Sequence, residues 1–274
     1  MVDPRTSADP GELDREHPGE SQHNDELPER TSQSTSPSAA QDPAWGLPGI
    51  PLVEEAAEHP PQDVKPTWRG WIHAGTFPVT IAAGIVLISL ADGAAAKWSS
   101  AVFMLTSMLL FGISALYHRI NWKPKTKQLF RRLDHANIFL LIAGTYTPLA
   151  VLALPPHKGV LLLSLVWAGA LLGIGFRVFW VTAPRWLYVP LYVLLGWAAM
   201  MYIVDLVEAN VAMMVLVLVG GLLYTLGAVV YGMKRPNPIP GVFGFHELFH
   251  TATVLAFLCH WTAILLVAIN PPYV

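Results

Sequence analysis

From residue 71 to residue 269 the chain repeats one hydropathy pattern, an apolar run of bilayer-spanning length followed by a short polar connector. About 20 residues of helix, rising 1.5 Å each, cross the hydrocarbon thickness of a membrane. In that medium the backbone finds no water, so each run must satisfy its N–H and C=O groups internally, as a helix. Seven runs can be read, at roughly 71–91, 99–118, 135–154, 159–180, 186–204, 211–231 and 245–269. The fold class expected is therefore an all-α membrane protein of seven transmembrane helices. Turns are marked by "LPPHKG" (154–159), "TAPRW" (182–186) and "KRPNPIPG" (234–241).

Composition agrees, with 53% hydrophobic residues, 13% charged residues and a mean hydropathy of +0.45. Fourteen of the nineteen carboxylates fall before residue 66. That segment, 1–65, is rich in Pro, Ser, Asp and Glu and has no apolar periodicity, so it reads as a disordered acidic tail preceding a transmembrane domain at 66–274. It lacks the basic and apolar regions of a secretory signal, and no cleavage is expected. The single cysteine, Cys259, excludes a disulfide framework and a thiolate zinc site. Membrane lipids rather than nucleic acid are the partners expected. Small residues in "GALLGIG" and "GAVVYG" suit helix contacts within the bundle or between copies of a homo-oligomer.

Basic residues set the expected orientation. The segment "RINWKPKTKQLFRRL" carries Arg119, Lys123, Lys125, Lys127, Arg131 and Arg132, which places it on the cytoplasmic side of a plasma (inner) membrane. The amino terminus is then cytoplasmic, the carboxy terminus external, and the connector bearing Asp205 and Glu208 external.

Polar groups inside spans are costly, and function is their default reading. The second span ends in "SALYH", with Ser114 and His118 one turn apart, and the third opens in "LDHANIF", with Asp134 at its start. The seventh opens in "GFHELFH", with His246 and His250 on one face. All reach the same leaflet. Each has an ordinary alternative. His118 can snorkel to the headgroups, Asp134 can cap the third helix, and Ser114 can bond its own i−4 carbonyl. As a set, three histidines and a carboxylate match the ligand count of a catalytic zinc.

"HELFH" also spells the H-E-x-x-H of zinc proteases. That reading requires Glu247 as general base, yet Glu247 lies about 100° around the helix from His246. It also leaves Ser114, His118 and Asp134 without a role. Of the other histidines, His135 is expected on a different face from Asp134. His260 lies about 15 Å beyond His250. His73 is at a depth where it could orient a ligand, and His17, His23 and His59 fall in the tail.

The segments "SALYH", "LDHANIFLLIAGTYTPLAVL" and "HELFHTATVLAFLCHW" resemble the signatures of the hemolysin III proteins, the bacterial branch of the progestin and adiponectin receptor family, over the whole seven-span region. The resemblance implies a zinc ion held by His118, His246 and His250, with Asp134 meeting it through a water and Ser114 in support. The family's relatedness to alkaline ceramidases implies hydrolysis of a lipid amide or ester. A structural zinc in a membrane sensor is the alternative. Cytolysis by pore formation is a third idea, for which no amphipathic β-hairpin is evident.

Overall fold

The computed structural model describes residues 67–273, and the acidic tail lies outside the described residues. Among the described residues there is no strand, and seven stretches are long and apolar enough to cross a bilayer. They are α1 (Trp71–Leu90), α2 (Gly93–Arg119), α3 (Pro124–Leu152), α4 (Pro156–Phe179), a composite fifth span, α7 (Val211–Met233) and α8 (Phe245–Ile269). The fifth span comprises α5 (Arg185–Gly196), a 3₁₀ turn (Ala198–Tyr202) and α6 (Ile203–Ala209).

The third span is the axis of the bundle, with 72% of its apolar window buried against 28% for the first span and 17% for the fifth. It packs between α2, α4 and α8. Gly144 permits the approach to α2, because a β-carbon there would occupy the place of the Thr106 side chain. Around this axis, side chains such as Leu172, Phe179 and Trp186 project outward, the surface lipid tails would cover.

Two boundaries differ from the hydropathy reading. Helix α3 starts at Pro124, eleven residues before the apolar run begins at His135. Proline at the first helical turn has its φ preset and no N–H to leave unpaired. Lys125, Lys127, Arg131 and Arg132 therefore ride on a helical extension, and the true connector is only residues 120–123. Asp134 consequently lies several turns inside α3 and does not cap it.

The fifth span, moreover, is broken near Trp197. Tyr146 of α3 holds the break, donating its hydroxyl to Gly196 O and accepting the Ala199 N–H, each at 2.8 Å. Those two groups would otherwise be unpaired in hydrocarbon. Asp205 is not in a connector. It sits in α6 and accepts an ion-paired hydrogen bond from Lys158 at 2.6 Å, at the end of the bundle opposite the histidines.

Candidate metal centre

His118 occupies the last turn of α2, and His246 and His250 occupy the first two turns of α8. Their rings converge, with centroids 4.5 to 5.2 Å apart. One ligand atom from each lies within 4.8 Å of the others, and His118 Nε2 stands 3.2 Å from His246 Nε2. Zinc bonds of 2.0–2.1 Å in a tetrahedron put ligand nitrogens about 3.3 Å apart, the spacing of the His118–His246 pair, and the three imidazoles together could hold a metal ion. His118 has a side chain only 7% exposed, turned into the bundle rather than toward headgroups.

Asp134 faces this cluster from α3, with Oδ2 at 3.8 Å from His118 Nε2. That separation exceeds a direct hydrogen bond and leaves room for a bridging atom. Ser114, one turn before His118, is buried and lines the same cavity as Asp134.

His73 of α1 is buried and lies flat on His250, with centroids 3.8 Å apart and planes 5° from parallel. Phe111 meets its edge at 5.1 Å. The stack restricts the rotation of the His250 ring. His135, expected on another face, lines the same cavity as Asp134. It stays outside the cluster because its Nδ1–H donates to Arg131 O at 2.7 Å while Nε2 faces the Tyr231 hydroxyl at 3.5 Å.

Glu247 points away from the cluster. Its Oε2 accepts the Gly244 N–H at 2.9 Å, the glutamate half of a capping box at the start of α8, and its Oε1 accepts from Arg69 Nε at 3.0 Å. The segment before α1 is a strap across this end of the bundle. Thr67 and Trp68 donate their N–H groups to Gly241 O and Val242 O, and Gly70, at φ 83°, packs against His118. A side chain at Gly70 would be strained by that φ and would press on the histidine. Glu247→Gln keeps an acceptor for Gly244 but loses the ion pair, so a stability loss of about 1–3 kcal/mol is expected with metal content unchanged. Thermal unfolding and metal analysis of the purified variant check this. A metal-free Glu247→Gln protein would contradict the placement.

From His246, His250 and Asp134 a largely apolar cavity runs between α3, α5, α7 and α8. It reaches His260, about 21 Å along α8 from His246. Tyr146, Tyr188, Tyr192, Trp197 and Tyr231 line it. Sequence reasoning missed these aromatics, since aromatic residues in apolar runs carry the same pattern whether they face lipid, core or cavity.

The sequence profile of the family described as Haemolysin-III related matches residues 62–261. The chain belongs to the haemolysin III family. Its relatives include Hemolysin-3 homolog of Bacillus subtilis (strain 168), 35% identical over 161 residues, which span 57% of this chain and 75% of that protein. Hemolysin-3 of Bacillus cereus is 36% identical over 157 residues, 56% of this chain and 71% of that protein. A shorter stretch of 54 residues is 50% identical to ADIPOR-like receptor IZH2 of Saccharomyces cerevisiae, covering 18% of this chain and 17% of that protein. Both the bacterial haemolysin III branch and the wider progestin and adiponectin receptor likeness are thus present in one multi-pass membrane protein.

Proposed function

We propose that this haemolysin III protein holds a zinc ion through His118, His246 and His250 and hydrolyses an amide or ester bond of a lipid whose chain enters the adjoining cavity. The reading is supported by the convergence of three imidazoles and the Asp134 carboxylate at the end of a long apolar cavity. The chemistry a bound zinc supplies is Lewis acidity, which polarises a carbonyl and lowers the pKa of water from 15.7 toward about 7.

The protein's own residues do the rest. His73 keeps the His250 ring in plane, and Ser114 holds the Asp134 carboxylate toward the cluster. Asp134 accepts the proton of the attacking water at its carboxylate. As the carbonyl carbon gains oxygen and loses its amine or alkoxide, Asp134 returns that proton to the leaving atom. The apolar walls take the acyl chain and exclude bulk water from the reacting end. Incubating purified protein with ceramide and following released fatty acid by mass spectrometry tests the activity, and no release from any lipid amide or ester would contradict it.

A structural zinc in a membrane sensor is the second reading. It is favoured by the position of the cluster, which would tie the last turn of α2 to the first turns of α8. Turnover separates the two, since a structural ion supports folding and no hydrolysis.

The basic helical extension Lys125 to Arg132 supports an orientation with this end of the bundle at the cytoplasmic face of the plasma membrane. The amino terminus is then cytoplasmic and the carboxy terminus external. Reporter fusions at each end check this, and an amino-terminal reporter active only outside the cell would reverse the topology.

A further inference from the structure

The far end of the cavity carries a polar pair that the metal centre does not use. His260 of α8 lies across Gly220 of α7, a position where any side chain would fill the place of the imidazole. This lets His260 Nε2–H donate to Val217 O at 3.2 Å. In the neutral ring the other nitrogen, Nδ1, is then a bare acceptor, and it is buried without a hydrogen-bond partner. Tyr224 stands beside it, ring centroids 5.4 Å apart, with a buried hydroxyl that also has no partner.

Neighbouring polar side chains of the cavity are satisfied within the protein. Thr145, Thr225 and Thr253 donate to carbonyls of their own helices, Trp197 donates to Thr225, and Tyr146 bonds the break in the fifth span. Two adjacent buried groups left unsatisfied in an apolar wall are costly and call for a partner from outside the chain.

We propose that His260 and Tyr224 form a second polar subsite, for a hydroxyl group carried near the far end of a lipid chain. The donor and acceptor count selects that group. A hydroxyl can donate to His260 Nδ1 while accepting from the Tyr224 O–H, whereas a ketone oxygen has no proton for Nδ1 and a methyl end satisfies neither. Distance selects its place on the chain. His260 is ten residues from His250 and fourteen from His246, or about 15–21 Å along α8. One leaflet's share of a hydrocarbon core of about 30 Å is about 15 Å, so a chain with its head at the histidines brings its terminus to this pair. The ligand class is thus a long-chain lipid hydroxylated at or near its methyl end. The inference rests on the lipid-binding reading of the cavity and adds a specificity to it.

The test uses the full purified chain and competition of palmitic acid and ω-hydroxypalmitic acid against a fluorescent fatty acid. The hydroxylated acid is expected to bind about tenfold more tightly to the wild type. Tyr224→Phe, which removes only the hydroxyl, and His260→Phe should each erase that preference and leave palmitic acid binding unchanged. Equal affinities in the wild type, or a preference that survives Tyr224→Phe, overturns the subsite alone and leaves the pair to ordered water. Failure of both acids to bind overturns the lipid reading and the subsite with it.

Discussion

His118→Ala is expected to weaken zinc binding by at least about 100-fold and to yield purified protein nearly free of the metal. Changes to groups that only support a ligand already cost about 10–100-fold, and loss of a direct imidazole ligand exceeds that range. His246→Ala and His250→Ala should behave alike, because one atom from each of the three residues shares the same small volume. His135→Ala is the control. It lines the same cavity but spends its nitrogens on Arg131 O and Tyr231, so its zinc content should match the wild type. Elemental analysis of variants purified in chelator-washed detergent reads the result directly. Full zinc retention in His118→Ala would remove α2 from the site.

Asp134→Asn separates holding the metal from using it. The carboxylate stands 3.8 Å from His118 Nε2, so it supports the site without joining the imidazole set, and most of the zinc should remain. The amide keeps the size of the side chain but cannot accept the water's proton, and lipid turnover should fall by about 10²–10⁴-fold. Ser114→Ala should act in the same direction more weakly, since it loosens the carboxylate without removing it. Side-by-side turnover of Asp134→Asn and Glu247→Gln decides between two readings of "HELFH". An active Asp134→Asn beside an inactive Glu247→Gln would restore the protease interpretation.

The seven spans were legible because hydropathy over about 20 residues reports directly on what a bilayer can accept. The true start of α3 was not, since residues 124–134 form a basic amphipathic extension with no continuous apolar run to mark it. Nor was the break in the fifth span, whose residues are as apolar as an unbroken helix and which depends on Tyr146 arriving from α3. In the site, the one-turn spacing of His246 and His250 could be read from the letters alone. The role of Glu247 could be read only halfway. Its place near the helix start suggested a favourable charge, but its partner Arg69 is 178 residues away and precedes the first span. The stack of His73 on His250 likewise joins the first and last spans, a contact that no local pattern encodes.

X-ray absorption of the metal in the purified wild type reads the proposed three-histidine zinc site itself. One zinc per chain is expected, with nitrogen ligands at about 2.0–2.1 Å from three imidazoles and no sulfur ligand. Protein that hydrolyses lipid with no zinc bound, or a metal shell with sulfur at about 2.3 Å, would contradict it.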